Sequence, residues 1–183
     1  MRPFTLAAAL AGTLTLALVA APADRAEDQT PPPPPTLDGR GHPFQDALIE
    51  RLAGEWRMTG QVRGRAAEST ASGAWTLAHQ WLRLEMKDVA QPPAYEAHVY
   101  IGYDNKSERY VAHWLDVFGG RFSETLGYGV REKDAVRFVF EYPDGPFHTT
   151  FTAQPDGTWS LLMRTKNDAG SWVTFAEYTL RRR

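Results

Sequence analysis

The 183-residue sequence contains no cysteine. That excludes a disulfide framework and attachment through a lipidated cysteine, so the folded part must be held by its core. No apolar run reaches the roughly 20 residues that a membrane-crossing helix needs. The longest, from about Leu6 to Ala20, is interrupted by Gly12, Thr13 and Thr15. A surplus of charge is missing as well: 20 Lys and Arg stand against 22 Asp and Glu, a formal −2. This is not the electrostatic footprint of a nucleic-acid binder, and the closing Arg181–Arg183 is too short to track a phosphate backbone. The G-x-S-x-G and H-E-x-x-H patterns and a glycine-rich phosphate loop are all absent, and the serines sit in no distinctive context. The five histidines are dispersed at positions 42, 79, 98, 113 and 148. No enzymatic signature, cofactor or metal motif emerges.

What is present begins with a basic Arg2, an apolar stretch and Ala21-Pro22-Ala23. That order predicts a secretory signal over residues 1–23, cut after Ala23 or after Ala21, and a secreted, periplasmic destination. Its removal would take away Arg2 and no acid, leaving the chain slightly more negative. Residues 24–43 hold Pro31–Pro35 and almost nothing apolar. Such a segment favours extended polyproline geometry and reads as a spacer, with a ligand for a proline-reading domain as the alternative. The folded domain is therefore expected over 44–183. Phe44, Leu48 and Leu52, with Ala47 and Ile49 beside them, predict a short helix over 44–52, ended near Gly54.

From Gly54 onward the period changes to two. Val136, Phe138, Phe140 and Tyr142 share one face; so do Phe147, Thr149 and Phe151, and Trp159, Leu161 and Met163. By the same rule Phe122, Glu124, Leu126, Tyr128 and Val130 form one face, and Trp172, Thr174, Ala176, Tyr178 and Leu180 another. Turn-forming stretches such as "YDNKSE", "FGGR", "YPDGP" and "QPDG" separate these runs. About ten short strands at such regular spacing make an antiparallel meander. An open sheet of that size would leave two bare edges, so the expected fold is all-β, an up-and-down barrel, with a two-sheet sandwich as the alternative.

The opening Gly54-Glu55-Trp56 matches the G-x-W of lipocalin-like barrels. More specific are "GAWTLAHQWLRLEM" and "GYDNKSERYVAHWLD", a tryptophan strand followed by a G-Y-D-N-x-x-x-x-Y hairpin ending in W-x-D. Together they resemble the domain of unknown function 1579 family over residues 45–182. The resemblance implies a lipocalin-like fold and brings no established activity. Nitrobindin-like barrels are more distantly similar and carry a haem-ligating histidine late in the chain. Here the last histidine is His148 and the strand over 172–180 has none, so haem is not expected. The His-rich tracts of periplasmic zinc-binding lipocalin-like proteins are missing too.

The hairpin around "DNKS" holds the candidate site. With Tyr103 facing Glu108, His98 falls opposite His113, Tyr100 opposite Val111 and Glu96 opposite Leu115. Directly opposed Cβ atoms lie about 4.5–5.5 Å apart, close enough for two imidazoles to share a proton or a metal. The opposite face, Ala97, Val99 and Ile101 with Tyr110, Ala112 and Trp114, is the more apolar and should be interior. The histidines then look outward or toward a covering segment such as the N-terminal helix. Solvated histidines, a polar patch in a ligand cavity and a metal or catalytic pair all remain open. Trp56 should plug one end of the barrel beneath a late arginine such as Arg181. Asp104 and Asn105 read as turn formers, and Asp116 as a strand-end cap or a site carboxylate.

The best functional expectation is a secreted lipocalin-like protein, monomeric or weakly dimeric, that binds a small apolar molecule in its barrel. His98, His113, Glu96, Tyr100, Trp56 and Trp114 are put forward for ligand contact. Neither nucleic acid nor a membrane anchor is expected as a partner. The alternatives are a metal-binding or hydrolytic protein using His98 and His113, and a non-catalytic interaction module.

Overall fold

Chain order and hairpin connections dictate a closed wall. The computed structural model describes residues 43–183; the signal segment and all of the spacer but Pro43 lie outside the described residues. A short helix, α1 (Ala47–Glu50), precedes β1 (Gly54–Val62), β2 (Arg65–Thr76), β3 (Trp81–Asp88), β4 (Glu96–Asp104) and β5 (Arg109–Asp116). A second short helix, α2 (Gly120–Ser123), leads to β6 (Leu126–Arg131), β7 (Ala135–Tyr142), β8 (Gly145–Ala153), β9 (Trp159–Lys166) and β10 (Trp172–Arg182). Every strand pairs antiparallel with the next, and β10 returns to β1, so the ten strands form a closed barrel and not a sandwich. Closure leaves no sheet edge exposed.

The wall has two ends. At one, β1 begins and α1 lies across the opening with Leu48, Ile49 and Leu52 buried. Asp46 starts α1: its Oδ1 accepts from the amides of Leu48 (2.7 Å) and Ile49 (3.1 Å), a capping pattern that begins the helix at Ala47 and not at the expected Phe44. Asp46 Oδ2 accepts from Arg131 Nε on β6 (2.9 Å) and from the Tyr110 hydroxyl on β5. Phe44 packs edge-on to Trp75 and Tyr110 and stacks with Tyr103. Past the helix, Arg182 donates to the carbonyls of Ala53 (2.6 Å) and Arg51 (3.0 Å). Its guanidinium carbon lies 4.1 Å from the centre of the Trp56 ring. Trp56 is fully buried and donates from Nε1 to Leu52 (2.8 Å). The cation over Trp56 is Arg182 where Arg181 was expected, because Arg182 is the residue paired with Trp56 and Arg181 falls on the outer face opposite Arg57.

Inside, Trp56, Trp159, Phe138, Phe140, Phe151, Leu82, Leu84, Ile101 and Leu161 have essentially no accessible surface. Side chains that water cannot touch line no water-sized void, so this part of the barrel is filled. Gly127 and Gly129 of β6 face inward, and the rings of Phe140 and Phe138 occupy the space that a Cβ would take there. This corrects the reading of "RFSETLGYGV". Residues 120–123 are helical, and Leu126, Tyr128 and Val130 face out because the inward positions must be glycine. In β10 a bulge between Thr174 and Ala176 shifts the phase, so Ala176, Tyr178 and Leu180 share a face that Trp172 and Thr174 do not.

A tight left-handed turn joins β2 to β3. Leu77, Ala78 and His79 all have positive φ (50°, 55° and 64°). His79 is what holds it: its carbonyl accepts from the Phe44 amide (3.0 Å), its Nδ1 lies 3.0 Å from the Phe44 carbonyl, and its ring stacks on Trp75 at 3.9 Å.

Two outcomes test this arrangement. Burial alone would raise the Asp46 carboxyl, but the Tyr110 hydroxyl, the two amides and Arg131 more than offset it and hold its pKa below the ordinary value. The resulting stabilisation is complete above the unfolded carboxyl value of about 4 and is lost as pH falls through the lower folded value. Urea unfolding as a function of pH should therefore show a shallower acid slope in Asp46→Asn than in the parent, and a loss of about 1–3 kcal/mol at neutral pH in Asp46→Ala. Ala78→Gly relieves one exposed left-handed residue and should raise stability by about 1 kcal/mol in the same assay.

Candidate functional site

The residues put forward from sequence fall in three places. Glu96, His98, Tyr100 and His113 are on the outer surface of β4 and β5, Trp56 lies under the plug, and Trp114 points inward at the far end of the barrel. The hairpin register differs from the expected one. Asp104 pairs with Arg109, Tyr103 with Tyr110, Tyr100 with His113 and His98 with Leu115. The loop is Asn105–Glu108, one position later than expected, because Asp104 is the last paired residue. Its side chain accepts from the Lys106 amide (3.0 Å) and the Ser107 hydroxyl, and Glu108 takes a left-handed φ of 53° to rejoin β5. The two histidines keep a common face but sit diagonally, not directly opposed.

Each is occupied separately. His98 is half exposed, with Nε2 4.0 Å from Glu85. Glu96 pairs with Lys87 at 3.0 Å. His113 Nε2 lies 2.6 Å from the Ser123 carbonyl, so that nitrogen carries the proton, and the covering segment is α2 instead of the N-terminal helix. Among the described residues no three His, Cys, Asp or Glu side chains converge on a position that would hold a metal ion.

Inward polar groups gather instead at the mouth, the end opposite α1. Accessibility marks the boundary along each strand. Val99 is fully buried, whereas Tyr95 just before β4 is half-buried; Phe138 and Phe140 are buried, whereas Tyr142 is half-buried. Trp114 Nε1 donates to the Tyr95 hydroxyl (2.9 Å), which donates to Asp116 Oδ2 (3.2 Å). Asp116 Oδ1 accepts from the Phe118 amide (3.0 Å), so this aspartate is both the strand-end cap and part of the mouth. Burial pushes the Tyr95 phenol well above its ordinary pKa; the Trp114 N–H opposes the shift and the Asp116 charge adds to it. Tyr142 is pushed up to about 12 by burial and then by the charge of Asp116. Tyr178 is raised by burial and by the charge of Asp88, with its bond to Ser69 acting the other way. Three phenols thus stay protonated around two carboxylates, and that of Tyr95 donates to Asp116. Phe118 stands against Tyr95 (5.9 Å) and Phe122 against Tyr142 (6.3 Å), both on the β5–β6 connection. Phe118 is 68 % exposed, and Val89, Val117, Phe122 and Val173 extend this exposed apolar rim.

Two hollows lie elsewhere on the barrel. An open groove of about 600 Å³ flanks the plug, lined by Phe44, Tyr103, Glu108, Arg109, Val130 and Arg131 among others. Arg131 is already committed to Asp46 there. A smaller hollow of about 250 Å³ lies beside the β1–β2 turn and Phe175.

Sequence reasoning reached Trp114 and Asp116 through the W-x-D of the hairpin. It missed Tyr95, Tyr142, Tyr178 and Asp88, which lie on separate strands and connections and carry no local pattern. The model of a family described as protein of unknown function DUF1579 matches residues 45–182, and the chain belongs to that family, here with a closed lipocalin-like barrel of ten strands. No curated protein matches the chain.

The Tyr95 hydroxyl satisfies a buried indole N–H while itself bonding a carboxylate. Tyr95→Phe should cost about 1–3 kcal/mol, because the Trp114 donor is left without its acceptor. Denaturant midpoints at unchanged slope would measure that loss, together with a shift in tryptophan emission.

Proposed function

We propose that this protein is a binding protein that takes a small amphiphilic molecule at the mouth of its barrel, after export directed by residues 1–23. The observation that carries the reading is the arrangement of that end. An inward ring of Tyr95, Trp114, Asp116, Tyr142 and Tyr178 is partly open to water and bordered by exposed Phe118 and Phe122. Large apolar side chains on a rim are held in water at a cost unless something covers them. Convergent hydroxyl and carboxylate groups beneath such a rim can orient a polar head. The side chains of the plug half fill that part of the barrel, which favours the mouth as the place for the ligand expected in the barrel. The apolar part of a ligand would lie along the rim, with its polar end on the ring.

Titration with the neutral fluorescent probe N-phenyl-1-naphthylamine tests this reading. Enhanced emission with saturable binding is expected. The paired change Phe118→Ser and Phe122→Ser, at exposed positions, should weaken it about tenfold, equivalent to about 1.4 kcal/mol. Native mass spectrometry of protein purified from its own host should show an added small mass that the same variant loses. Probe binding indifferent to the rim change, or no binding with a clean unliganded mass, would overturn the proposal.

A further inference from the structure

The mouth also has a sign. Asp88 and Asp116 are its charged members, and neither has a cationic partner among the described residues. Asp116 accepts from the Tyr95 hydroxyl and the Phe118 amide, and Asp88 from the Ala90 amide (2.8 Å). A carboxylate has about four acceptor positions, so both keep capacity for a further donor. The basic side chains of this end are engaged elsewhere or stand at the lip. Lys87 is bound to Glu96 and Arg121 to Asp144, Arg63 lies over Phe175, Lys166 lies near Trp172, and Arg65 is at the β1–β2 hairpin tip. The rings gathered at this end, those of Tyr95, Trp114, Tyr142, Tyr178 and Phe118, have negatively polarised faces. Two half-buried carboxylates without counter-ions, set at the strand ends beside aromatic rings, attract a positive charge and repel a negative one.

We infer that the mouth selects cationic amphiphiles, molecules with a primary or quaternary ammonium group on an apolar tail, the ammonium seated between Asp116, Asp88 and the surrounding rings. The inference rests on the mouth being the ligand site. Phe118 and Phe122 would take the tail, as the neutral probe tests. Asp116 and Asp88 would set the choice of head.

Three ligands of one tail separate the two claims. Octyltrimethylammonium and octanoate, each below its micelle concentration, and octanol, below its solubility limit, are titrated calorimetrically into the full-length mature protein. The ammonium should bind at least about tenfold more tightly than the alcohol, with octanoate the weakest. That preference should shrink as salt is raised. Asp116→Asn, which retains an oxygen to accept from Phe118, should bring the ammonium down to the level of the alcohol; Asp88→Asn is the second variant if the first unfolds. Octanol or octanoate binding as well as the ammonium, in a manner still sensitive to Phe118→Ser, would overturn the charge preference and leave the mouth as the site. Ammonium preference unchanged in both asparagine variants would overturn the assignment to these carboxylates. No binding by any of the three would overturn the site and its selectivity together.

Discussion

Arg182 brings together three parts of the chain that the sequence keeps far apart. It ends β10, it is paired with Trp56 in β1, and it donates to the carbonyls that end the first helical segment. Its flat cation covers the Trp56 ring and meets orphan carbonyls at a helix end, a geometry that a lysine could not reproduce. Barrel closure and plug placement are therefore one event. Asp46 does the equivalent work at the other end of α1, tying the helix start to β5 and β6 through Tyr110 and Arg131. A barrel without disulfides relies on such joints, because its core must be complete to be stable.

The filled plug end explains why chemistry is confined to the other end. Trp56, Trp159, Phe138 and Phe151 leave no accessible surface within the lower barrel. Buried polar groups would need full satisfaction there, and nearly all inward positions are apolar. Toward the mouth the inward positions change to Ser69, Thr149, Tyr142, Tyr178 and Asp116. One strand, β5, serves both ends. It carries Tyr110 to the plug and Trp114 with Asp116 to the mouth, which accounts for the dense patterning of the "GYDNKSERYVAHWLD" stretch.

Alternation made most of this architecture legible. The inward faces of β4, β5, β7, β8 and β9 follow directly from their apolar period, and the G-x-W opening pointed to a plugged end. Legibility failed where one residue changes phase. The hairpin loop begins at Asn105, one position late, because Asp104 spends its side chain on Lys106 and Ser107 while remaining paired. The bulge before Ala176 and the inward glycines of β6 invert the simple rule that large apolar residues point in. The mouth was the least readable part. Tyr95, Tyr142, Tyr178 and Asp88 meet only because four separate strands and connections end there, and periodicity records the face of a strand but not which strand ends converge.

Closure by β10 also has a consequence in time. The contact from Arg182 to Ala53 spans 129 positions of sequence, and the whole β1–β10 ladder is of this non-local kind. Such pairings must meet the full entropy of a long loop before any contact rewards it, and they slow folding accordingly. The nine hairpin ladders can form between neighbours as the chain is made, whereas the seam that seats Arg182 on Trp56 waits for the final strand. Before that seam closes, β1 lacks the partner that completes its pairing, and the barrel's last edge is covered only when the end of the chain arrives.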